Sequence, residues 1–205
     1  MADQFDRRTT ILRSAARLFA EKGIAATTVR EIADSVGVLS GSLYHHFPSK
    51  DAIVDEVVAS YLRDLLTGYR SVLARDLNPR DTVRALVEAS MDAIDHHPYA
   101  TDIYRREMRR LQLTARSSVL SEAAAEVQHT WLTTLEAGRA RGVFRRDVPA
   151  WVMYRLIRDA LFQSSPLGAA HRSRTLAATF SSLILDGAAE RPAASRRRVL
   201  ANTSA

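Results

Sequence analysis

An all-helical fold of nine helices is what this 205-residue sequence predicts, and three observations carry that expectation. Glycine and proline are sparse, at 8 and 6 residues, while alanine, leucine and arginine, which suit a helix well, are abundant. Apolar residues recur three or four apart through most of the chain. Where that spacing stops, a capping residue, a glycine or a proline stands at the break. With 46% apolar and 25% charged residues the chain has an ordinary globular composition, one or two domains long, which excludes a disordered or collagen-like protein.

Ile11, Leu12, Ala15, Leu18 and Phe19 form one stripe of a helix over 7–22, and Gly23 ends it. Thr28 followed by Glu31 is a capping box, so a second helix starts at about Val29 with Val29, Ile32, Ala33 and Val36 inward and stops at Gly37. After a turn over 37–39, SGSLYHHF gives a third helix of about two turns that Pro48 closes. Ser49 caps a long fourth helix reaching about residue 74. Asn78 with Pro79 opens a fifth, which Pro98 closes, and a shorter sixth covers 99–111. The seventh runs over 117–141 and ends at Gly142, the eighth over 149–163 from Pro149, and the last over 172–188. The implied organisation is a helix-turn-helix head over 1–48, a six-helix body over 49–189, and a disordered tail over 190–205. In that tail Pro, Ala, Ser and three successive arginines offer little to bury.

The 29 basic and 23 acidic residues, net +6, allow an anionic partner without requiring one. Half of the excess falls in 187–205, and 27 of the basic residues are arginine, which codon bias explains more simply than nucleic-acid binding. No apolar run approaches the roughly 18 residues of a membrane span, and the opening MADQFDRR lacks a signal-peptide core. A cytoplasmic location and no membrane partner are therefore expected. The absence of cysteine removes disulfides, thiol nucleophiles and cysteine-ligated zinc. GxSxG, GxGxxG, phosphate-loop and HExxH signatures are all missing, so no catalytic residue, cofactor or enzyme activity is expected.

Two helices joined by a glycine-containing turn, the second short and polar on one side, form a helix-turn-helix arrangement. Its second helix serves to enter the major groove of double-stranded DNA. Ser40, Ser42, Tyr44, His45 and His46 offer hydroxyl and imidazole groups to phosphates and base edges, while Leu43 and Phe47 face the core. Gly41 lets the backbone approach DNA closely, and Thr28 and Lys50 suit phosphates at helix starts. The adjacent His45 and His46 point about 100° apart on a helix, so they do not make a metal site.

The segment ATTVREIADSVGVLSGSLYHHFPSKDAIVDEV resembles the DNA-binding segment of TetR-family transcriptional regulators. Thr27, Thr28, Val29, Ile32, Ala33, Gly37, Val38, Gly41, Leu43, Tyr44, Phe47, Ser49 and Lys50 stand at the family's spacing, and the match covers about residues 8–57. The resemblance implies phosphate contacts from Thr28, Tyr44 and Lys50, and base or backbone contacts from the exposed residues between Leu39 and His46. Leu39 stands where the family usually has a serine that caps the recognition helix, and Ser40 is the alternative cap. VLSGSLYHHF, DAIDHH and MYRLIRDAL are similar to one subgroup, the TetR-family repressors of sterol-ring catabolism. That similarity implies a homodimer on a near-palindromic operator, released by an inducer that is an acyl coenzyme A thioester. The alternatives are a TetR-like repressor of an efflux or other catabolic operon with a different hydrophobic inducer, or a helical small-molecule binding module with a vestigial head.

For the ligand, Tyr61, Met91, Ile94, Tyr104, Met108 and Trp131 are candidate cavity residues, although side chains at such spacing are most often plain core. RREMRR over 105–110 reads first as a solvated face, and His96 and His97 before Pro98 as a helix end. Arg158 is different, because Ile157 and Leu161 flank it on a largely apolar helix, and a buried guanidinium requires an anion. Asp159 is expected to point elsewhere, while Phe162 shares the Arg158 face. An interhelical or dimer ion pair is the competing role for Arg158. The helices near 149–163 and 172–188, apolar on more than one face, are the expected dimer interface.

Overall fold

The computed structural model describes residues 2–114, 118–164 and 174–189, with side chains over 7–106, 119–162 and 178–189. Among the described residues nine helices follow in the expected order: α1 (Ala2–Lys22), α2 (Val29–Ser35), α3 (Ser40–Tyr44), α4 (Lys50–Leu73), α5 (Pro79–His96), α6 (Pro98–Thr114), α7 (Ser118–Ala140), α8 (Ala150–Ser164) and α9 (Arg174–Ala188). Among the described residues there is no strand, only an isolated bridge between Phe144 and Ala189. None of the described helices is long and apolar enough to cross a membrane. The expected tail over 190–205 lies outside the described residues.

Local signals explain most of the boundaries. Thr28 accepts the Glu31 N–H at 3.2 Å while the Glu31 carboxylate accepts the Thr28 N–H at 2.8 Å, so the capping box is closed in both directions. α2 ends in a Schellman turn: the Val38 N–H reaches the Ala33 carbonyl at 3.0 Å, and the Gly37 N–H reaches that of Asp34 at 3.2 Å. That turn needs the left-handed φ of 68° that Gly37 supplies. The Ser49 hydroxyl accepts the Ala52 N–H, and the Asn78 side chain accepts that of Asp81, as their capping positions require.

Three expectations are corrected. α1 begins five residues earlier than 7–22, because its apolar stripe starts only at Ile11 and does not mark a polar first turn. α3 is five residues long rather than two turns. After Tyr44 the chain tightens, with His46 and Phe47 both bonding the Leu43 carbonyl, before Pro48. Val29 and Val36 are half-exposed instead of inward, since α2 is two turns long and presents only Ile32 and Ala33 to the core, and Leu12 is half-exposed at the edge of the α1 stripe.

The chain forms two compact units: residues up to Thr67 together with Asp92–Glu126, and Gly68–Met91 together with the chain from Val127 on. In the first, α1 packs on α2 and α6, and α2 packs on α3. Ile11, Ala15, Phe19, Ile32, Leu43, Phe47, Ile53 and Ile103 are almost fully buried there. In the second, Val83, Leu86, Trp131, Leu135, Phe144, Ile157 and Leu185 form the core. A buried polar relay crosses it. The Ser90 hydroxyl donates its one proton to the Leu86 carbonyl, so Tyr69 donates to Ser90 and Trp131 Nε1 donates to Tyr69, each link at 2.7–2.8 Å. The Phe144 ring lies directly against Gly138 on α7, where a Cβ would sit 2.1 Å from the ring.

Candidate nucleic-acid interface and ligand-contact residues

The head is organised around a buried anchor. Leu43 and Phe47, each 1% exposed, hold α3 on the core and turn its remaining side chains outward. Leu39, Gly41, Ser42, Tyr44 and His45 are exposed, and Ser40 and His46 are half-exposed. Thr28, also exposed, stands at the start of α2. Among the described residues, nothing beyond its chain neighbours and its own helix backbone lies within 4 Å of where a Gly41 side chain would begin, so no such contact requires glycine there. Such a surface, with hydroxyls, imidazole and bare backbone side by side, offers what a DNA groove accepts.

Ser40 is not the cap. Leu39 occupies that position in extended conformation, φ −73° and ψ 144°, with no side-chain hydrogen bond, and Ser40 is the first helical residue. The Leu39 carbonyl still accepts the Ser42 N–H at 2.9 Å, so the backbone starts the helix without help from a side-chain oxygen.

Lys50 is also placed differently from a residue held for phosphate alone. Its ammonium donates to the carbonyls of Ile24 and Thr27, at 2.7 and 2.9 Å, and so staples the start of α4 to the turn between α1 and α2. Beside it, Lys22 lies 2.7 Å from Glu31. That contact, with the Thr28 N–H and hydroxyl, holds the Glu31 carboxyl down to about 2.

The sequence reading missed Arg8. From α1 its guanidinium pairs with Glu56 on α4, donates to the His46 carbonyl at 2.7 Å, and lies 4.3 Å from the centre of the Phe47 ring. It thus ties the end of the recognition segment to two helices at once. Its partners are 38 and 48 residues away, so nothing in the local sequence could have marked it.

The ligand candidates fall in both units. In the first, Tyr61 and Tyr104 are buried with ring centres 5.7 Å apart, and Ile94 is buried. In the second, Met91 and Phe162 are buried, and Trp131 belongs to the relay described above. The side chain of Met108 lies outside the described residues. Asp159 does not point elsewhere: both Nε and a terminal nitrogen of Arg158 donate to one of its oxygens, at 2.9 and 2.8 Å. A long, flexible guanidinium folds back onto its neighbour, leaving it 5.7 Å from the Tyr154 ring. Burial raises the Tyr154 pKa despite that cation.

A cavity of about 820 Å³ opens in the first unit among α1, α4 and the α5–α6 junction, lined by Arg8, Leu12, Arg13, Val57, Arg63 and His97 among others. None of the seven ligand candidates whose side chains are described lines it. His96 Nδ1 contacts the Asp92 carbonyl in the last turn of α5, as a helix-end residue does, whereas His97 Nε2 lies 2.6 Å from an Asp64 oxygen on α4. In the same unit Arg105 and Arg106 both pair with Asp102, and Arg106 reaches the Ala20 carbonyl of α1.

An all-helical chain whose N-terminal head presents a short, anchored, outwardly polar helix is a helix-turn-helix transcriptional regulator by class. Residues 11–57 match the bacterial regulatory proteins of the tetR family, and residues 79–196 match the tetracyclin repressor-like C-terminal domain. The chain belongs to the TetR family. It is similar to the HTH-type transcriptional repressor KstR2 of Rhodococcus jostii, 43% identical over 186 residues that cover 89% of this chain and 91% of the relative. The structure of the ketosteroid transcriptional regulator KstR2 of Mycobacterium tuberculosis superimposes with a TM-score of 0.81 at 36% identity, over 90% of this chain and 96% of that one. The HTH-type transcriptional activator FasR of Mycolicibacterium smegmatis is 32% identical over 66% of this chain and 64% of its own length.

Proposed function

We propose that the protein is a homodimeric repressor of steroid-ring catabolic genes that leaves a near-palindromic operator when it binds an acyl coenzyme A thioester derived from that ring system. The observation that carries the DNA part is the outward row Ser42, Tyr44 and His45 on a helix anchored by Leu43 and Phe47. What supports the steroid part is the likeness to KstR2 along nearly the whole chain. Two identical heads related by a two-fold read two inverted half-sites, which gives the operator its near-palindromy. The exposed apolar side chains Trp151 and Leu156 on α8 and Leu183 on α9 suit a surface that a second copy covers.

Release requires the thioester to favour a conformation in which the heads no longer fit the duplex, by about 5.5 kcal/mol for a complete reversal. Within the first unit α6 packs on α1, so a ligand that shifts α6 moves the head with it. In this reading Arg158 serves a carbonyl or phosphate oxygen of the inducer in place of Asp159, and Phe162 packs on its apolar part.

The test is an electrophoretic shift on fragments upstream of the chain's own and neighbouring genes, followed by addition of the thioester, its free acid and coenzyme A alone. A specific shift abolished by the thioester is expected. A specific shift indifferent to all three ligands would leave a repressor with another inducer. No specific shift would leave a ligand-binding module. A reporter that falls, rather than rises, on deletion of the gene would identify an activator instead.

A further inference from the structure

We infer that Leu39 reads the 5-methyl group of a thymine in each operator half-site, so that this residue sets base preference as well as starting the recognition helix. The inference rests on the repressor reading and deepens it.

Within the described head, 7–49, the two large apolar side chains more than a third exposed are Leu39 at 81% and Tyr44 at 55%. Ile11, Leu18, Phe19, Ile32, Leu43 and Phe47 are at most 7% exposed, and Leu12, Ile24, Val29, Val36 and Val38 are half-exposed. Both exceptions sit at the ends of one five-residue helix, α3, so apolar exposure is concentrated on the recognition element. Leu39 gains nothing there for the chain itself. It is at the capping position, where Ser, Thr, Asp or Asn would stabilise α3 through a side-chain oxygen, and it makes no such bond. A leucine at that point is therefore explained by contact with something outside the chain.

The partner of this surface in the proposed function is a DNA major groove. Residues at the N-terminal end of a recognition helix are the ones that reach base edges. Among the groups those edges display, the thymine methyl is the apolar one, and apolar side chains meet it. An isobutyl group in that position thus has one chemically matched target. Gly41, two residues on, with open space at its Cβ, leaves the backbone free to come near enough for the contact.

The test uses the full-length dimer and an operator obtained by selection from random-sequence duplexes. Each symmetry-related pair of thymines is replaced in turn by deoxyuridine, which removes the methyl group and leaves base pairing intact. The wild-type chain is expected to lose about fourfold in affinity per half-site at one pair, the worth of burying a single methyl group. Leu39→Ala is expected to bind the thymine and uracil versions of that pair equally, while keeping its response at every other position. Because Leu39 makes no capping bond, Leu39→Ala should also melt with the parent. Wild type indifferent to every replacement, or Leu39→Ala as sensitive as wild type at the critical pair, overturns the inference while the repressor reading stands. Selection that enriches no duplex sequence overturns both.

Discussion

Replacing Lys50 by Met separates two roles for one cation. The sequence places Lys50 at a helix start, where a phosphate contact is the natural reading, whereas its ammonium donates to the Ile24 and Thr27 carbonyls at 2.7 and 2.9 Å. Met keeps most of the aliphatic stem and removes the charge and all three N–H donors. A hydrogen bond to a charged group contributes about 1.5–3 kcal/mol, and both carbonyls are only part-buried, so water recovers a share once the ammonium is gone. The expected net loss is therefore that of one such bond, about 1.5–3 kcal/mol. For a chain of this length each kcal/mol moves Tm by about 2–4 °C, so Lys50→Met should melt roughly 3–12 °C lower. The assay is thermal circular dichroism at fixed protomer concentration, since dimerisation makes Tm concentration-dependent. Operator affinity, measured well below the transition over a salt series, should fall with its slope unchanged. Were the ammonium held against a phosphate instead, the slope would drop by about 0.9 for each phosphate no longer neutralised. Lys50→Met that melts with the parent refutes the staple.

Gly138→Ala puts a Cβ 2.1 Å from the Phe144 ring, and that overpacking, about 1–3 kcal/mol, should outweigh the roughly 1 kcal/mol gained in helix propensity. In a Phe144→Ala background the same change should become stabilising in urea unfolding, and equal effects in both backgrounds would show that the ring is not the obstacle. Glu31→Gln should lower Tm near neutral pH, where the carboxylate held down to about 2 is ionised, and the difference from wild type should close as pH falls from about 4.5 toward 2. In calorimetry with the thioester, Asp159→Ala should tighten binding by removing the competitor for Arg158, while Arg158→Ala should abolish release and leave operator binding intact. Leu183→Arg, at a side chain 71% exposed on α9, should lower the mass seen by light scattering toward that of one chain.

How much of the molecule was legible follows the range of the interactions involved. The capping box of Thr28 and Glu31, the stop at Gly37, and the caps at Ser49 and Asn78 each close within a few residues, and residue type and spacing are enough to read each of them. The anchor Leu43 and Phe47 was legible for the same reason, as two apolar residues four apart in a polar stretch. Arg8 was invisible because its partners Glu56 and His46 come from other parts of the head, and the sign of an arginine's role is the identity of its distant acceptor. The failure at Arg158 was of another kind. A rule about which helical residues share a face treats a side chain as a rigid rod, and a guanidinium on three methylenes bends to reach the adjacent carboxylate.

These differences bear on where function is visible in a sequence of this kind. Within 39–44 the chain breaks local preference three times: an uncapped helix start at Leu39, a glycine inside a five-residue helix at Gly41, and exposed apolar groups at Leu39 and Tyr44. Each lowers the stability of α3 alone, and a fold under selection for stability alone would place an oxygen at 39, alanine at 41 and a polar residue at 44. That all three departures fall on one short helix, around the buried Leu43, points to a compensating contact outside the chain, on the face proposed to meet DNA. The candidate ligand residues show no comparable cluster: Tyr61, Tyr104, Trp131 and Phe162 are buried and satisfy ordinary core rules. Arg158 is the exception among them, being a charged residue on a largely apolar helix, and its proposed exchange from Asp159 to an incoming anion is therefore the point at which the proposed inducer can be tested most directly.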